Sequence, residues 1–198
     1  MAGPPRGAEW RFAGAVSAGG VPPRLDLPEI AFAGRSNVGK SSLINRLAHA
    51  RGLARTSRTP GRTQQVNFFA GRDEIVFADL PGYGFARVPA GVREAWKKLV
   101  EGYLEAREGL RGVVVIVDAR RGLEPDDRAL IDYLAALGRP AVVVANKIDK
   151  LNRSELDRNF AAMRRSTPGL IGFSSVTGEG ESEVWRQIRI LAGGERPT

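Results

Sequence analysis

The sequence predicts a three-layer α/β domain, doubly wound around a mostly parallel sheet with one antiparallel hairpin at its edge. Three observations predict it. Short apolar runs alternate with helix-patterned stretches along the 198 residues. Two of those runs, Val113-Val114-Val115-Ile116-Val117 and Ala141-Val142-Val143-Val144-Ala145, are apolar on both faces, as a strand covered by helices on either side must be. A Gly-rich segment, Gly34 to Ser42, joins an apolar run to the opening of a helix.

Taken in order, a weakly patterned strand is expected at 10–16. The run Glu29-Ile30-Ala31-Phe32-Ala33 gives a buried strand at 29–33, and Leu43-Ile44-Asn45-Arg46-Leu47 sets a helix at 40–49. Strands at 65–70 and 74–78 are joined by Gly71-Arg72-Asp73, a hairpin-length link, which makes the antiparallel edge. Helices at 92–107, 125–137, 153–165 and 180–192 then alternate with strands at 112–117, 140–145 and 169–173. Residues 1–9 and 193–198 are rich in Gly, Pro and charge and read as frayed ends of a single domain with its core at about 24–192. In such sheets ligands bind outside the carboxyl ends of the strands, and each motif below follows a strand.

A hydrophobic fraction of 42% beside 26% charged residues is that of an ordinary soluble globular protein. The longest apolar run is strand-sized, and Met1 to Gly7 lacks the apolar segment of a signal peptide, so a cytoplasmic location with no membrane partner is expected. The absence of cysteine rules out a disulfide framework and a thiolate metal site. The net charge of +8 and pI near 10.5 point to a polyanionic partner, with nucleic acid the foremost class. An ordinary charge excess with no partner is the alternative.

Gly34-Arg35-Ser36-Asn37-Val38-Gly39-Lys40-Ser41-Ser42 is a complete phosphate-binding loop in the required strand-to-helix context. Its glycines let the backbone wrap an anion, and the following helix offers unsatisfied N–H groups and its positive dipole end. Lys40 is placed to reach the β- and γ-phosphates, and the Ser41 hydroxyl to ligate Mg²⁺. Asp79-Leu80-Pro81-Gly82 follows the strand Ile75-Val76-Phe77-Ala78. Asp79 can hold a Mg²⁺-bound water, and the Gly82 N–H can meet the γ-phosphate.

Asn146-Lys147-Ile148-Asp149 selects the base. The Asp149 carboxylate can accept from N1–H and the exocyclic amino group of guanine, and adenine offers neither donor there. Asn146 is expected to tie this loop to the phosphate loop, with the Lys147 stem along the base plane. Phe173-Ser174-Ser175 ends the last strand where a backbone N–H can meet guanine O6, though Ser-Ser before Thr177-Gly178 also suits a capping loop. Between 56 and 65, Thr-Ser-Arg-Thr-Pro-Gly-Arg-Thr-Gln-Gln reads as a loop that orders around Mg²⁺ and the γ-phosphate. Gly61, Arg62, Thr63, Gln64 and Gln65 are its expected nucleotide-binding residues. Thr63 and Thr59 compete as the metal ligand, and spacing alone does not separate them. Arg51, Arg55, Arg58 and Arg62 crowd the same stretch, either as a solvated face or as an RNA-contacting edge.

With these residues in place the chain resembles the EngB (YihA/YsxC) family of bacterial GTP-binding proteins, in the TrmE–Era–EngA–YihA–septin-like branch of P-loop GTPases. The resemblance rests on residues 28–45, on Thr59-Pro60-Gly61-Arg62-Thr63-Gln64, on Asn67-Phe68-Phe69 and on Asp79-Leu80-Pro81-Gly82-Tyr83-Gly84. It rests also on Trp96, Tyr103, Asp118-Ala119-Arg120 and Phe173-Ser174-Ser175, and covers roughly residues 10–192. The chain departs from the pattern at Asn146, where many members carry Thr. The resemblance implies Thr63 as the threonine on Mg²⁺. It also implies a role in late assembly of the large ribosomal subunit, through rRNA or a ribosomal protein, with linked effects on cell division and septation.

Ras-like enzymes carry a water-orienting glutamine at the position held here by Tyr83, so slow intrinsic GTP hydrolysis is expected, completed from outside. Asn37 resembles the loop asparagine of relatives that bind K⁺ beside the β- and γ-phosphates, against simple loop hydrogen bonding as the alternative. Asn37, Lys40, Thr63 and Gly82 are the candidate catalytic residues. Two classes remain: a monomeric GTPase switch acting on the preribosome, and a nucleotide-gated structural protein of the division machinery with incidental hydrolysis.

Overall fold

The computed structural model describes residues 9–55, 65–71, 74–84 and 90–193. Thr59, Gly61, Arg62, Thr63 and Gln64, with Arg58, lie outside the described residues. Among the described residues, seven strands form one sheet in the order β1-β3-β4-β2-β5-β6-β7. They are β1 (Trp10–Ser17), β2 (Glu29–Gly34), β3 (Gln65–Gly71), β4 (Ile75–Asp79), β5 (Leu110–Asp118), β6 (Ala141–Asn146) and β7 (Ile171–Phe173). The helices are α1 (Lys40–Leu47), α2 (Ala90–Ala106), α3 (Pro125–Ala136), α4 (Arg153–Arg164) and α5 (Glu181–Leu191).

β2 pairs in parallel with β4 and β5, β5 with β6, and β6 with β7. β3 runs antiparallel to β4, so the expected β3–β4 hairpin is present. The weakly patterned N-terminal segment lies outside it as β1, adding a second antiparallel ladder that takes the sheet back to Trp10, well before residue 24. Pairing irregularity between Phe12 and Gly14 bulges this edge, and Phe12 is 59% exposed. A bulge of this kind discourages pairing with another chain.

The period-2 alternation divides the core between two faces. Ile30, Phe32, Val114 and Ile116 meet Leu43, Ile44 and Leu47 of α1 and Val184, Trp185 and Ile188 of α5. Ala31, Ala33, Val113, Val115 and Val117 meet α2, α3 and α4 through Leu99, Leu104, Leu134, Phe160 and Met163. At the foot of the sheet a fully buried Glu29 is paired with Arg107 and accepts from the Tyr103 hydroxyl at 3.1 Å. Burial and that carboxylate hold the Tyr103 phenol above its ordinary value. Arg107 also donates to the Pro23 carbonyl at 2.8 Å, so the segment leading into β2 is fixed to α2 at the end remote from the site. No helix among the described residues is long and apolar enough to cross a membrane.

Candidate nucleotide-binding site

The phosphate loop leaves β2 at Gly34 and enters α1 at Lys40. Gly39, at φ 98°, occupies the N-cap, and no side chain caps the first amides of the helix. Those N–H groups and the dipole end face the loop, the physical requirement for an anion site. A Cβ on Gly39 would run into the Asn146 side-chain nitrogen, so only glycine fits. Asn37 is exposed and takes φ 64°, a conformation asparagine tolerates. Lys40 is ion-paired with Asp79, at the carboxyl end of β4, and both side chains are largely buried. Ser41 stands in the first turn of α1.

Asn146 is the hub of the side expected to hold guanine. It is 1% exposed, and its Nδ2 donates to the Val38 carbonyl at 3.0 Å. Its Oδ1 accepts from the Lys147 N–H at 2.8 Å, and from the Ser175 N–H and hydroxyl at 3.3 and 3.1 Å. The predicted tie between the guanine and phosphate loops is therefore present as direct contact, and it extends to the loop after β7. The Lys147 ammonium donates to the Asn37 carbonyl at 2.6 Å and to Asp118 at 3.0 Å.

Asp149 accepts from the Ser174 hydroxyl at 2.7 Å, and this hydrogen bond, with help from Lys150, holds its carboxyl below the ordinary value. It is therefore an ionised acceptor at neutral pH, as recognition of two guanine donors needs. The Ser174 oxygen in turn accepts from the amides of Val176 and Thr177 at 3.2 and 3.1 Å. Arg46 and His49, at the end of α1, pair with Glu181 in the first turn of α5, and so tie the phosphate-loop helix to the helix after the serine loop.

Several predicted residues serve by backbone or packing alone. Val38, Leu80, Ile148 and Phe173 are buried core side chains, with Phe173 fully enclosed between the sheet and α1/α5. The Phe173 side chain is thus removed from the expected binding surface, leaving Ser174 and Ser175 as the polar groups of that loop. Gln65 lies at the site end of β3, but its side chain donates to the Ser17 hydroxyl at 3.0 Å. Arg35 turns away from the loop to Glu124 and Asp126, at 3.1 and 3.5 Å. The Ser36 N–H donates to the Tyr83 carbonyl at 3.0 Å, so that amide is engaged with the Asp-Leu-Pro-Gly turn. Ser42 is exposed on α1.

Tyr83 points inward. Its hydroxyl donates to Asp127, itself 1% exposed, at 2.8 Å, and burial followed by that carboxylate pushes the phenol far above its ordinary value. Two contacts carry no signal in the local motifs. The Trp96 indole donates to the Pro81 carbonyl at 3.0 Å. Asp118 receives Arg120 at 2.8 and 2.7 Å as well as Lys147, and these bonds outweigh burial to hold its carboxyl well below the ordinary range. Its place at the carboxyl end of β5, and its part in the Asp118-Ala119-Arg120 run of the family resemblance, are the sequence features that mark Asp118.

Comparison with known proteins agrees with this geometry. A family model described as 50S ribosome-binding GTPase matches residues 29–147. A probable GTP-binding protein EngB from Desulforamulus reducens is 48% identical over 88% of this chain and 87% of its own length. That from Solibacter usitatus is 52% identical over 82% and 85%. The chain belongs to the EngB family of GTP-binding proteins. A crystal structure of a probable GTP-binding protein engB, 28% identical, superposes with a TM-score of 0.67 over 83% of this chain and 98% of that one. As an EngB-family member the protein binds guanine nucleotides and hydrolyses GTP.

Proposed function

We propose that this EngB-family protein is a cytoplasmic, monomeric GTPase switch that engages the large ribosomal subunit late in its assembly, with effects on division and septation following from that role. One observation carries the partner: a surplus of eight positive charges on a chain whose matching family model is described as ribosome-binding. The nucleotide half of the reading is supported by the phosphate and guanine loops being already joined through Asn146.

Mg²⁺ fits the residues present. Ser41 offers a hydroxyl and Asp79 a carboxylate, the sparse oxygen donor set that Mg²⁺ accepts when phosphates and water complete its shell. Among the described residues no cluster of three or more His, Asp or Glu forms an all-protein cage. Ser41 and Thr63 would hold the ion, with Asp79 acting through water, and the ion would neutralise charge on the phosphates. Lys40, released from Asp79, would then reach the β- and γ-phosphates. Asn37 is the proposed K⁺ contact, and the Gly82 N–H the γ-phosphate contact.

Tyr83 stands where a water-orienting glutamine would be and its hydroxyl is engaged with Asp127, so intrinsic turnover should be no faster than about 10⁻⁴ to 10⁻² per second. The partner is tested by co-sedimentation with large subunits in a GTP analogue and in GDP across a salt series. GTP-favoured binding should weaken with salt at a log–log slope of roughly −0.7 to −0.9 per phosphate contact. Arg55→Ala with Arg58→Ala should flatten that slope. Binding indifferent to both salt and nucleotide would overturn the reading in favour of a structural protein of the division machinery.

A further inference from the structure

The turn Pro81-Gly82-Tyr83 is gripped from both sides. On one side the Trp96 indole of α2 donates to the Pro81 carbonyl at 3.0 Å. On the other, the Tyr83 N–H donates to the Gly34 carbonyl at 3.3 Å, and the Tyr83 carbonyl accepts from the Ser36 N–H at 3.0 Å. Gly82 itself lies against the phosphate loop: a Cβ there would sit 3.0 Å from the Ser36 hydroxyl. The Trp96 ring also meets the Tyr83 ring edge-on, with centroids 6.1 Å apart, while the Tyr83 hydroxyl is anchored on Asp127 of α3.

The Pro81 carbonyl and the Gly82 N–H belong to one planar peptide. In a trans peptide the two groups point in opposite directions, so fixing the carbonyl fixes the N–H. We propose that Trp96 is a positioning residue for recognition of the γ-phosphate: by holding the Pro81 carbonyl toward α2, it aims the Gly82 N–H away from α2. This rests on the reading above that the Gly82 N–H meets the γ-phosphate. Turning that N–H elsewhere requires rotation of the peptide, loss of the indole hydrogen bond and a carbonyl left without its donor. The consequence is a direct mechanical link. A partner that displaces α2 also re-aims the group that distinguishes GTP from GDP, without touching the nucleotide.

Trp96→Phe keeps an aromatic ring against Tyr83 and deletes only the N–H. Affinity for a non-hydrolysable GTP analogue should fall roughly three- to tenfold, the size of one lost hydrogen bond, while GDP affinity stays within about twofold. The second measurement is ¹⁹F NMR of protein labelled with 5-fluorotryptophan. The Trp96 resonance, assigned by its loss in Trp96→Phe, should shift between GDP and the GTP analogue. Equal loss for both nucleotides with a lowered unfolding midpoint, or a resonance indifferent to nucleotide, would reduce Trp96 to a packing residue and overturn the proposal. Gly82→Pro, which deletes the Gly82 N–H, separates the two readings. If it leaves the preference for GTP over GDP unchanged, the assignment of Gly82 fails. If it erases that preference while Trp96→Phe does not, the role of Trp96 alone fails.

Discussion

Removing the Asn146 side chain should loosen three loops at once. Asn146→Ala deletes the donor to the Val38 carbonyl and the acceptor of the Lys147 amide, contacts of 3.0 and 2.8 Å, together with the two longer contacts from Ser175. Two well-made hydrogen bonds contribute about 1–3 kcal/mol net, and the weaker pair adds less, which sets the total near 2–4 kcal/mol. Part of that appears as lost stability of the free protein. The remainder appears as weaker binding, because the nucleotide must then order loops that are no longer joined, and about 1.4 kcal/mol of it is a tenfold rise in Kd for GDP and GTP alike. Asn146→Thr keeps a hydroxyl that can accept from Lys147 or Ser175 but has no second donor for Val38. It should cost about 1 kcal/mol. Urea unfolding of the free protein and titration calorimetry with GDP measure the two parts. A loss below about 0.5 kcal/mol in the alanine variant, with unchanged GDP affinity, would refute the reasoning. So would a threonine variant as damaged as the alanine one.

Asp149→Asn should weaken guanine nucleotides and improve xanthine nucleotides, whose 2-position carries an oxygen; an unaltered GTP-to-XTP preference in competition binding contradicts Asp149 as the paired acceptor. Lys40→Ala should lower GTP affinity roughly tenfold or more by calorimetry, since a charge-assisted contact of about 1.5–3 kcal/mol is lost, and an unchanged Kd contradicts its placement. Asp118 is held below its unfolded value of about 3.9, so its stabilising contribution is fully present above that pH and is lost as pH falls through the lower folded value. The gap in urea midpoint between the parent and Asp118→Asn should therefore be largest at neutral pH and shrink in acid, and a gap constant with pH removes the ion-pair explanation.

The parts of the fold that the sequence discloses are those written in local periodicity. Val113 to Val117 is apolar on both faces because alternate side chains meet two helix layers, and that pattern is legible without any contact being known. The loops are legible for a related reason: Gly39 and Lys40 answer to a backbone geometry set within nine residues. Illegible are the pairings that close over long separations. Trp96 meets Pro81, Asp118 meets Lys147 and Arg46 meets Glu181 only once the sheet brings strand ends together, and none of these residues announces its partner by type or spacing. Exposure is equally hidden. Phe173 reads as the strand-end residue of a binding motif, yet its side chain belongs to the core, and only the two serines after it stay at the polar end.

Tyr83 shows how the legible and illegible halves combine. Its position in the motif states only that the water-orienting glutamine is missing. The structure adds what replaced it: a phenol committed to Asp127, a backbone paired with Gly34 and Ser36, and a ring against Trp96. The same loop sends Arg35 to Glu124 and Asp126, beside Asp127 at the start of α3. The phosphate loop is therefore joined to α3 by Arg35 and Tyr83, and to the guanine loop by Asn146 and Lys147. A tyrosine so bound is not free to orient a water, and it connects the end of the site proposed for the γ-phosphate to two surface helices. On the reading proposed above, in which a partner completes slow turnover, that connection is the useful property, because the partner would act on α2 or α3 and be felt at Gly82.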